Sequence, residues 1–450
     1  MASSASTNTP VLNGIAAAAS GLEGFDPAAG SLRDFVHTRP QRVEDRAADF
    51  EAWRSARENV GYWPYAKYLV EPPRATTTLQ HSDGSRYSGV NFATQDYLSL
   101  STHAAVKAAA AAAIERFGVH SAGSMALAGN VHESLALEAS IADMLQMKHA
   151  LLFPTGWAAG FGIVKGLVRQ QDHVVLDALA HNCLQEGAMA ATRNVYRTRH
   201  LDLAHVHSTL ASIREKDAAN TVLVVTEGIF SMDADAPDIS ALQAMCRHFG
   251  ATLVVDVAHD LGCTGPGGTG EIGLQGMLGE VDIVMGSFSK TFASNGGFIA
   301  TNRTAVKEFV RAFAPTCVFS NALSPVQVAA VGTAIAIIRS LEGEGLRKRL
   351  SVAVAALRDE LTTCGFALLG KPHAIVPMIV GTEAVGRRAA LEATREGVLV
   401  NLAEFPAVPI DRSRFRLQVM SAHEPEQCRA AARAIAKAVA RSSAAGFALS

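Results

Sequence analysis

Residues 281–301 read "VDIVMGSFSKTFASNGGFIAT": two short apolar runs separated by a loop of small and hydroxyl-bearing residues that holds one cation, Lys290. Continuous apolar runs bounded by Gly and Ser indicate strands buried on both faces. Similar runs precede it: "ALLFPTG" at 150–156, "DHVVLDA" at 172–178, "NVYRTR" at 194–199, "TVLVVTEG" at 221–228 and "ATLVVDVA" at 251–258. Helical spacing fills the intervals; Ile239, Leu242, Met245, Cys246 and Phe249 share one helical face, which makes Cys246 a core residue. The pattern predicts an α/β fold whose large domain holds a mostly parallel seven-stranded sheet with helices on both faces.

Ligands of such sheets bind beyond the carboxyl ends of the strands. The first run leads into Thr155-Gly156-Trp157, a turn whose amides would face an anion at a helix N-terminus. Asp177 and His181 follow the second run, Asp256 and His259 follow "LVV", and Ser287, Ser289 and Lys290 close "IVMG". A phosphate loop of the form GxxxxGK[ST] needs glycine directly before its lysine, and Ser289 stands there, so that nucleotide reading fails. A Schiff-base lysine for pyridoxal phosphate fits better. That cofactor needs a carboxylate at its ring nitrogen, which Asp256 would supply. Hydroxyls and strand-end amides suit its phosphate, and His181 and His259 would stack on the ring and donate to its phenolic oxygen. Singly, each residue has a plainer role: a strand-end Asp caps helices, Ser forms turns, a lone His sits in a core. The ordered set carries the inference. Asp233 and Asp235 in "SMDAD" read as turn formers before Pro237, because no His/Cys cluster of ligand spacing suggests a metal.

The rest of the chain sets bounds. Its 450 residues, 49% hydrophobic and 18% charged, can bury a large core, and a net charge of −2 gives no case for nucleic acid or an anionic membrane. Six cysteines (183, 246, 263, 317, 364, 428) without a CxxC pair point to a reducing compartment. No Lys or Arg precedes Arg33, which argues against a secretory signal or transit peptide. The Ala-rich run "HAAVKAAAAAAIERFG" is broken by Lys107, Glu115 and Arg116, so it reads as a packed helix and not a membrane span. A cytoplasmic protein with no transmembrane segment is expected. The expected divisions are a flexible leader at 1–45, an arm at 46–100 ending in the strand-like "GVNFATQDYLSL", a large domain at 101–325 and a small α/β domain at 326–450. The last would open with one long helix, "SPVQVAAVGTAIAIIRSLEGEGLRKRL", and continue through strands "AIVPMIVG" and "SRFRLQVMS" to a terminal helix.

Three segments resemble a known family. "TEGIFSMDADAP" (226–237), "GSFSKTFASNGGFIA" (286–300) and "FRLQVMSAH" (415–423) are similar to motifs of the α-oxoamine synthases, pyridoxal-phosphate enzymes of fold type I, the aspartate aminotransferase-like class. The lysine loop looks most like that of bacterial serine palmitoyltransferases. "AHNCLQEGA" and "GPGGTG" look like segments of long-chain α-aminoketone synthases. The resemblance implies Lys290 as the Schiff-base lysine, Asp256 at the ring nitrogen, His181 stacked on the ring, and His259 with Ser231 at the phenolic oxygen. Gly156, Trp157, Ser287 and Ser289 would hold phosphate, and Arg416 the amino-acid carboxylate. Ser320 and Asn321 would reach a second copy's site, which implies a homodimer. The implied reaction joins a small amino acid to an acyl thioester, carried by CoA or acyl carrier protein, with loss of CO2. The expected donor is a long-chain acyl thioester, as in serine palmitoyltransferases; the rivals are an autoinducer-type aminoketone synthase or an 8-amino-7-oxononanoate synthase-like enzyme of the same family, or another fold-type I enzyme such as an aminotransferase. Three places depart from the family pattern: Val257 and Asp260, where an acid and then a small residue are usual; Met125, where many members carry arginine; and Gln95-Asp96, where an asparagine-bearing segment is common.

Overall fold

The structure is a computed structural model that describes residues 26–36 and 42–447. Most of the expected leader, residues 1–25, lies outside the described residues. The chain forms two compact units. One is Gln95–Ser351 with Met420–Ala422; the other takes the described residues up to Thr94, Val352–Val419, and those from His423.

The larger unit is built on seven strands: β1 (His149–Phe153), β2 (His173–Asp177), β3 (Val195–Thr198), β4 (Val222–Glu227), β5 (Thr252–Asp256), β6 (Ile283–Ser287) and β7 (Gly297–Thr301). Their order across the sheet is β1-β7-β6-β5-β4-β2-β3. All neighbours run parallel except β7, which is antiparallel to both β1 and β6. Every residue of β2, β4, β6 and β7 is buried, which explains why these segments are apolar without alternation.

Helices cover the sheet. They include α1 (Ala104–Phe117), α2 (Gly156–Leu167), α3 (Asn182–Ala191), α4 (Ile239–His248) and α5 (Pro325–Ile338). In α4 the residues Ile239, Leu242 and Cys246 are buried, the face expected from their spacing. The Ala-rich α1 packs on α5. Ser324 starts α5 with a reciprocal capping box to Gln327 and Pro325 in the first turn.

The expected single helix from Pro325 through residue 350 is instead two, because α5 ends at Ile338 and the next helix begins at Leu341. The last carbonyls of α5 find partners outside the helix. Ser340 donates from both N–H and Oγ to the Ile337 carbonyl, and Arg347 Nη1 reaches the Ile338 carbonyl at 2.7 Å. Gly343 approaches so closely that a Cβ there would lie 2.2 Å from the Ile338 oxygen. The strand expected within 89–100 also stops early, at Asn91. Beyond it, the Asp96 carboxylate accepts the N–H groups of Leu100 and Ser101 and folds 96–101 into a turn.

The smaller unit holds a four-stranded sheet (68–69, 76–80, 86–91, 398–399) and a three-stranded one in which Ser413–Gln418 lies between Ile375–Gly381 and Leu402–Ala403. Its most unusual packing is a buried arginine cage. Arg387 is 2% exposed, lies with Nε 2.8 Å from Glu404 Oε1, and donates from Nη1 to the carbonyls of Ala28 (2.5 Å) and Gly30 (2.8 Å). The Trp53 ring stacks under Arg57 Cζ at 3.7 Å, and Arg57 donates to the Ala29 carbonyl. Burial, and then the Arg387 charge, pull the Arg57 guanidinium down to about 9. No single helix among the described residues is long and apolar enough to cross a membrane.

Candidate functional site

The carboxyl edge of the large sheet carries the chemistry. There β2 ends in Asp177, β4 in Glu227, β5 in Asp256 and β6 in Ser287. Asp256 is 4% exposed, and its Oδ1 accepts the Ala258 N–H at 2.9 Å. Burial raises its pKa, while the charges of His181 and Lys290 pull it back. The fold therefore groups Asp256, His181 and Lys290. Lys290 itself is half-buried in the loop after β6.

His181 is the N-cap of α3. Its Nδ1 accepts the Cys183 N–H at 3.3 Å and lies 3.0 Å from Cys183 Sγ, and the residue remains exposed. His259 is 5% exposed and its Nδ1 lies 2.9 Å from the hydroxyl of Tyr97, a fully buried residue. Sequence reading missed Tyr97, although it follows the Gln95-Asp96 pair directly.

Gly156, the first residue of α2, packs against the end of β6. A Cβ at Gly156 would fall 2.3 Å from Ser287 Oγ, and Ser287 Oγ is 3.0 Å from Ser289 Oγ. Thr155 caps the helix by accepting the Ala158 N–H, which leaves the first-turn amides of Gly156 and Trp157 without intrahelical acceptors, beside two hydroxyls. Trp157 is 47% exposed and stacks on Phe161, with ring centroids 5.0 Å apart.

Ser231 sits in the turn after β4, and that turn is clamped by His200. The imidazole bridges Asp177 Oδ1 (2.9 Å) and Asp235 Oδ2 (3.0 Å), with the Phe230 ring edge-on to it. Burial would lower its pKa, but hydrogen bonds to Asp177 and Asp235 and their charges outweigh it and push it up to about 10. His200, Asp233 and Asp235 bring their ligand atoms within 4.8 Å of one another. Both imidazole nitrogens already face a carboxylate oxygen, at 2.9 Å and 3.0 Å. A group raised from ~6.5 to about 10 stabilises the fold fully below pH ~6.5 and loses that contribution as pH climbs through 10. His200→Gln should therefore lower the melting temperature most at pH 6 and progressively less toward pH 10. Melts across that range check this, and a constant difference would rule the clamp out.

The departures have structural counterparts. Val257 is 1% exposed, with Cγ2 3.3 Å from where a Cβ on Gly286 would lie. Asp260 is fully buried and its Oδ2 accepts the Glu271 N–H at 2.7 Å. It fits because its neighbours are glycines: a Cβ at Gly228 or Gly270 would come within 2.6 Å or 2.5 Å of its carboxyl. Burial raises Asp260 to about 7. Met125 is buried, and Gln95 is half-buried with Oε1 shielded from solvent. Ser320 is half-exposed after the short helix Pro315–Val318. Arg416 belongs to the smaller unit, on the middle strand of its three-stranded sheet, 9% exposed, with Nη1 3.4 Å from Gln418 Oε1.

A mostly parallel seven-stranded sheet with a lysine, an acid and a histidine grouped at its carboxyl edge defines a fold-type I pyridoxal-phosphate enzyme. Comparison with known proteins agrees. The aminotransferase class I and II family matches residues 87–435. The chain is 32% identical over 369 residues to the 8-amino-7-oxononanoate synthase of Geobacter sulfurreducens, covering 81% of this chain and 93% of that one. It is 31% identical to the 2-amino-3-ketobutyrate coenzyme A ligase of Salmonella typhimurium, covering 80% and 91%. Among solved structures, a serine palmitoyltransferase from S. paucimobilis with bound PLP and myriocin superposes with a TM-score of 0.83 at 26% identity, covering 90% of this chain and all of that one. The chain belongs to the α-oxoamine synthase family and is a PLP-dependent acyltransferase.

The residues present suit that cofactor. An anion site made of helix amides and two hydroxyls, a buried acid two strands in from the antiparallel strand β7, a nearby amine and an exposed imidazole match a phosphate, a ring nitrogen, an aldehyde and a ring face. Glu227 Oε1, buried and without a hydrogen-bond partner, is a further polar atom at this edge.

Proposed function

We propose that this chain condenses a small α-amino acid with a long-chain acyl thioester, releasing CO2 and a thiol to leave an α-aminoketone, as serine palmitoyltransferases do. The observation that carries the reading is the grouping of Lys290, Asp256 and His181 at the carboxyl edge of the sheet. The serine palmitoyltransferase fold, matched over 90% of the chain, supports the long-chain donor. Sequence relatives favour a second reading, an 8-amino-7-oxononanoate synthase.

Bound pyridoxal phosphate supplies an electron sink for charge developing at Cα of the amino acid. The chain's residues supply the rest. Lys290 Nζ would hold the cofactor and would take up and return the Cα proton of the amino acid. Asp256 keeps a carboxylate where a protonated ring nitrogen is matched. The amides of Gly156 and Trp157 donate to the phosphate, as do the hydroxyls of Ser287 and Ser289. His181, whose ring is exposed, would stack against the cofactor ring. His259 and Ser231 donate toward the phenolic oxygen, and Tyr97 orients His259 through Nδ1. Arg416 pairs with the substrate carboxylate. Ser320 contributes to the site of a second copy in a homodimer. Six thiols, none in a disulfide, accord with a cytoplasmic location.

The test crosses serine, glycine, alanine and 2-aminobutyrate against acyl-CoAs of graded length and ω-carboxylated acyl-CoAs, following thiol and labelled CO2 release together. Coupled release with long unbranched chains supports the first reading. A preference for an ω-carboxylated donor supports the second. No consumption of any thioester, with CoA or carrier protein, sinks both. Tyr97→Phe is expected to lower kcat about tenfold, the worth of one buried hydrogen bond, and to move the pH dependence of the bound-cofactor absorption. An unchanged spectrum would show that Tyr97 does not act through His259.

A further inference from the structure

Glu227 closes β4 and lies outside every role assigned so far. It is the register partner of Asp256 across the parallel β4–β5 ladder, so the two carboxyls leave the sheet on the same face at the same level. Glu227 is 2% exposed and Asp256 4%. A Glu227 carboxylate oxygen accepts the backbone N–H of His181, the residue that starts α3. Its Oε1 is shielded from solvent and has no hydrogen-bond partner among the described residues.

The surrounding ionisable groups are Asp256, Asp177, Cys183, His181 and Lys290. Two carboxylates in one dry site cannot both stay ionised without strong repulsion. Burial first, then the Asp256 charge, push Glu227 well above the carboxylate range, with Asp177 adding to the push. Asp256 is held back by His181, the Ala258 amide and Lys290. Geometry separates the two: Asp256 Oδ1 accepts the Ala258 N–H at 2.9 Å, whereas Glu227 Oε1 meets no donor among the described residues, so the proton of the pair is assigned to Glu227.

We propose that Glu227 is a positioning residue of the cofactor site: neutral beside Asp256, it fixes the His181 backbone and leaves Asp256 the one carboxylate that meets the ring nitrogen. This rests on the pyridoxal-phosphate reading of the site. Because a protonated glutamate and a glutamine have the same shape and charge, Glu227→Gln should preserve what Glu227→Leu destroys.

The experiment reconstitutes apo full-length chains with pyridoxal phosphate. It measures the cofactor Kd and the pH midpoint of the bound-cofactor absorption for wild type, E227Q, E227L and D256N. Expected are an E227Q Kd within about threefold of wild type and an absorption midpoint moved by less than about 0.3 pH, against more than about 1 pH for D256N. E227L should raise Kd at least about tenfold, through the loss of the His181 acceptor. If E227Q moves the midpoint as far as D256N, Glu227 is a charged group and the proposal falls. Wild-type affinity in E227L would also overturn it. Should E227L fail to fold, E227Q against D256N still decides. If wild type itself binds no pyridoxal phosphate, the failure lies with the cofactor reading, not with Glu227.

Discussion

Replacing Lys290 with alanine is expected to lower turnover at least about 10³-fold, because one amine is assigned both covalent attachment and proton transfer, and general acid–base transfer alone contributes about 10²–10⁴. The fold should survive, since Lys290 is half-buried on a loop and belongs to no helix or strand. A second readout separates this from general damage. Borohydride should fix cofactor to the wild-type chain and leave the variant unmodified by mass, with cofactor still held by the phosphate and ring contacts. Covalent trapping in the variant would move the attachment point elsewhere and defeat the assignment.

The second large effect concerns stability. Arg387→Ala should cost about 3–5 kcal/mol, the range for removing one partner of a buried ion pair. Glu404 would be left buried, and burial already raises its pKa against the pull of Arg387. The carbonyls of Ala28 and Gly30 would lose their donor as well. Replacing both charges, in Arg387→Met with Glu404→Leu, should recover much of the loss, because Glu404 is no longer left as a buried carboxylate without its partner. Urea midpoints of the two variants decide. If the double variant is no better than the single, the damage comes from lost packing around Trp53 and not from a stranded charge.

These cases show what the sequence made legible. The seven strands were visible because burial on both faces makes them continuous apolar runs, and the edge residues followed because parallel strands present their carboxyl ends together. The break after α5 was hidden: no proline or glycine occupies Arg339–Ser340, and the close approach that permits it involves Gly343, three residues on. Glu227 was quoted within a motif yet passed over, since a glutamate at the end of a strand looks ordinary until the register sets it beside Asp256. His200 was unreadable for a similar reason, with partners 23 and 35 residues away in sequence. Arg387 and Arg388 look like the solvent face of an amphipathic helix, and only tertiary packing buries them.

Val257 and Asp260 bear on how such a chain can change over generations. The valine is sealed against β6 and the aspartate one helical turn later is buried with a raised pKa, the Leu261 N–H bonding back to the Val257 carbonyl. An acid introduced at 257 would have to be buried where the valine now packs toward Gly286, and a small residue introduced at 260 would strip the Glu271 amide of its acceptor. Each substitution carries its own cost, set by burial at 257 and by the Glu271 amide at 260. Change at either position is thereby slowed by packing and by one buried amide, independently of any contact with substrate.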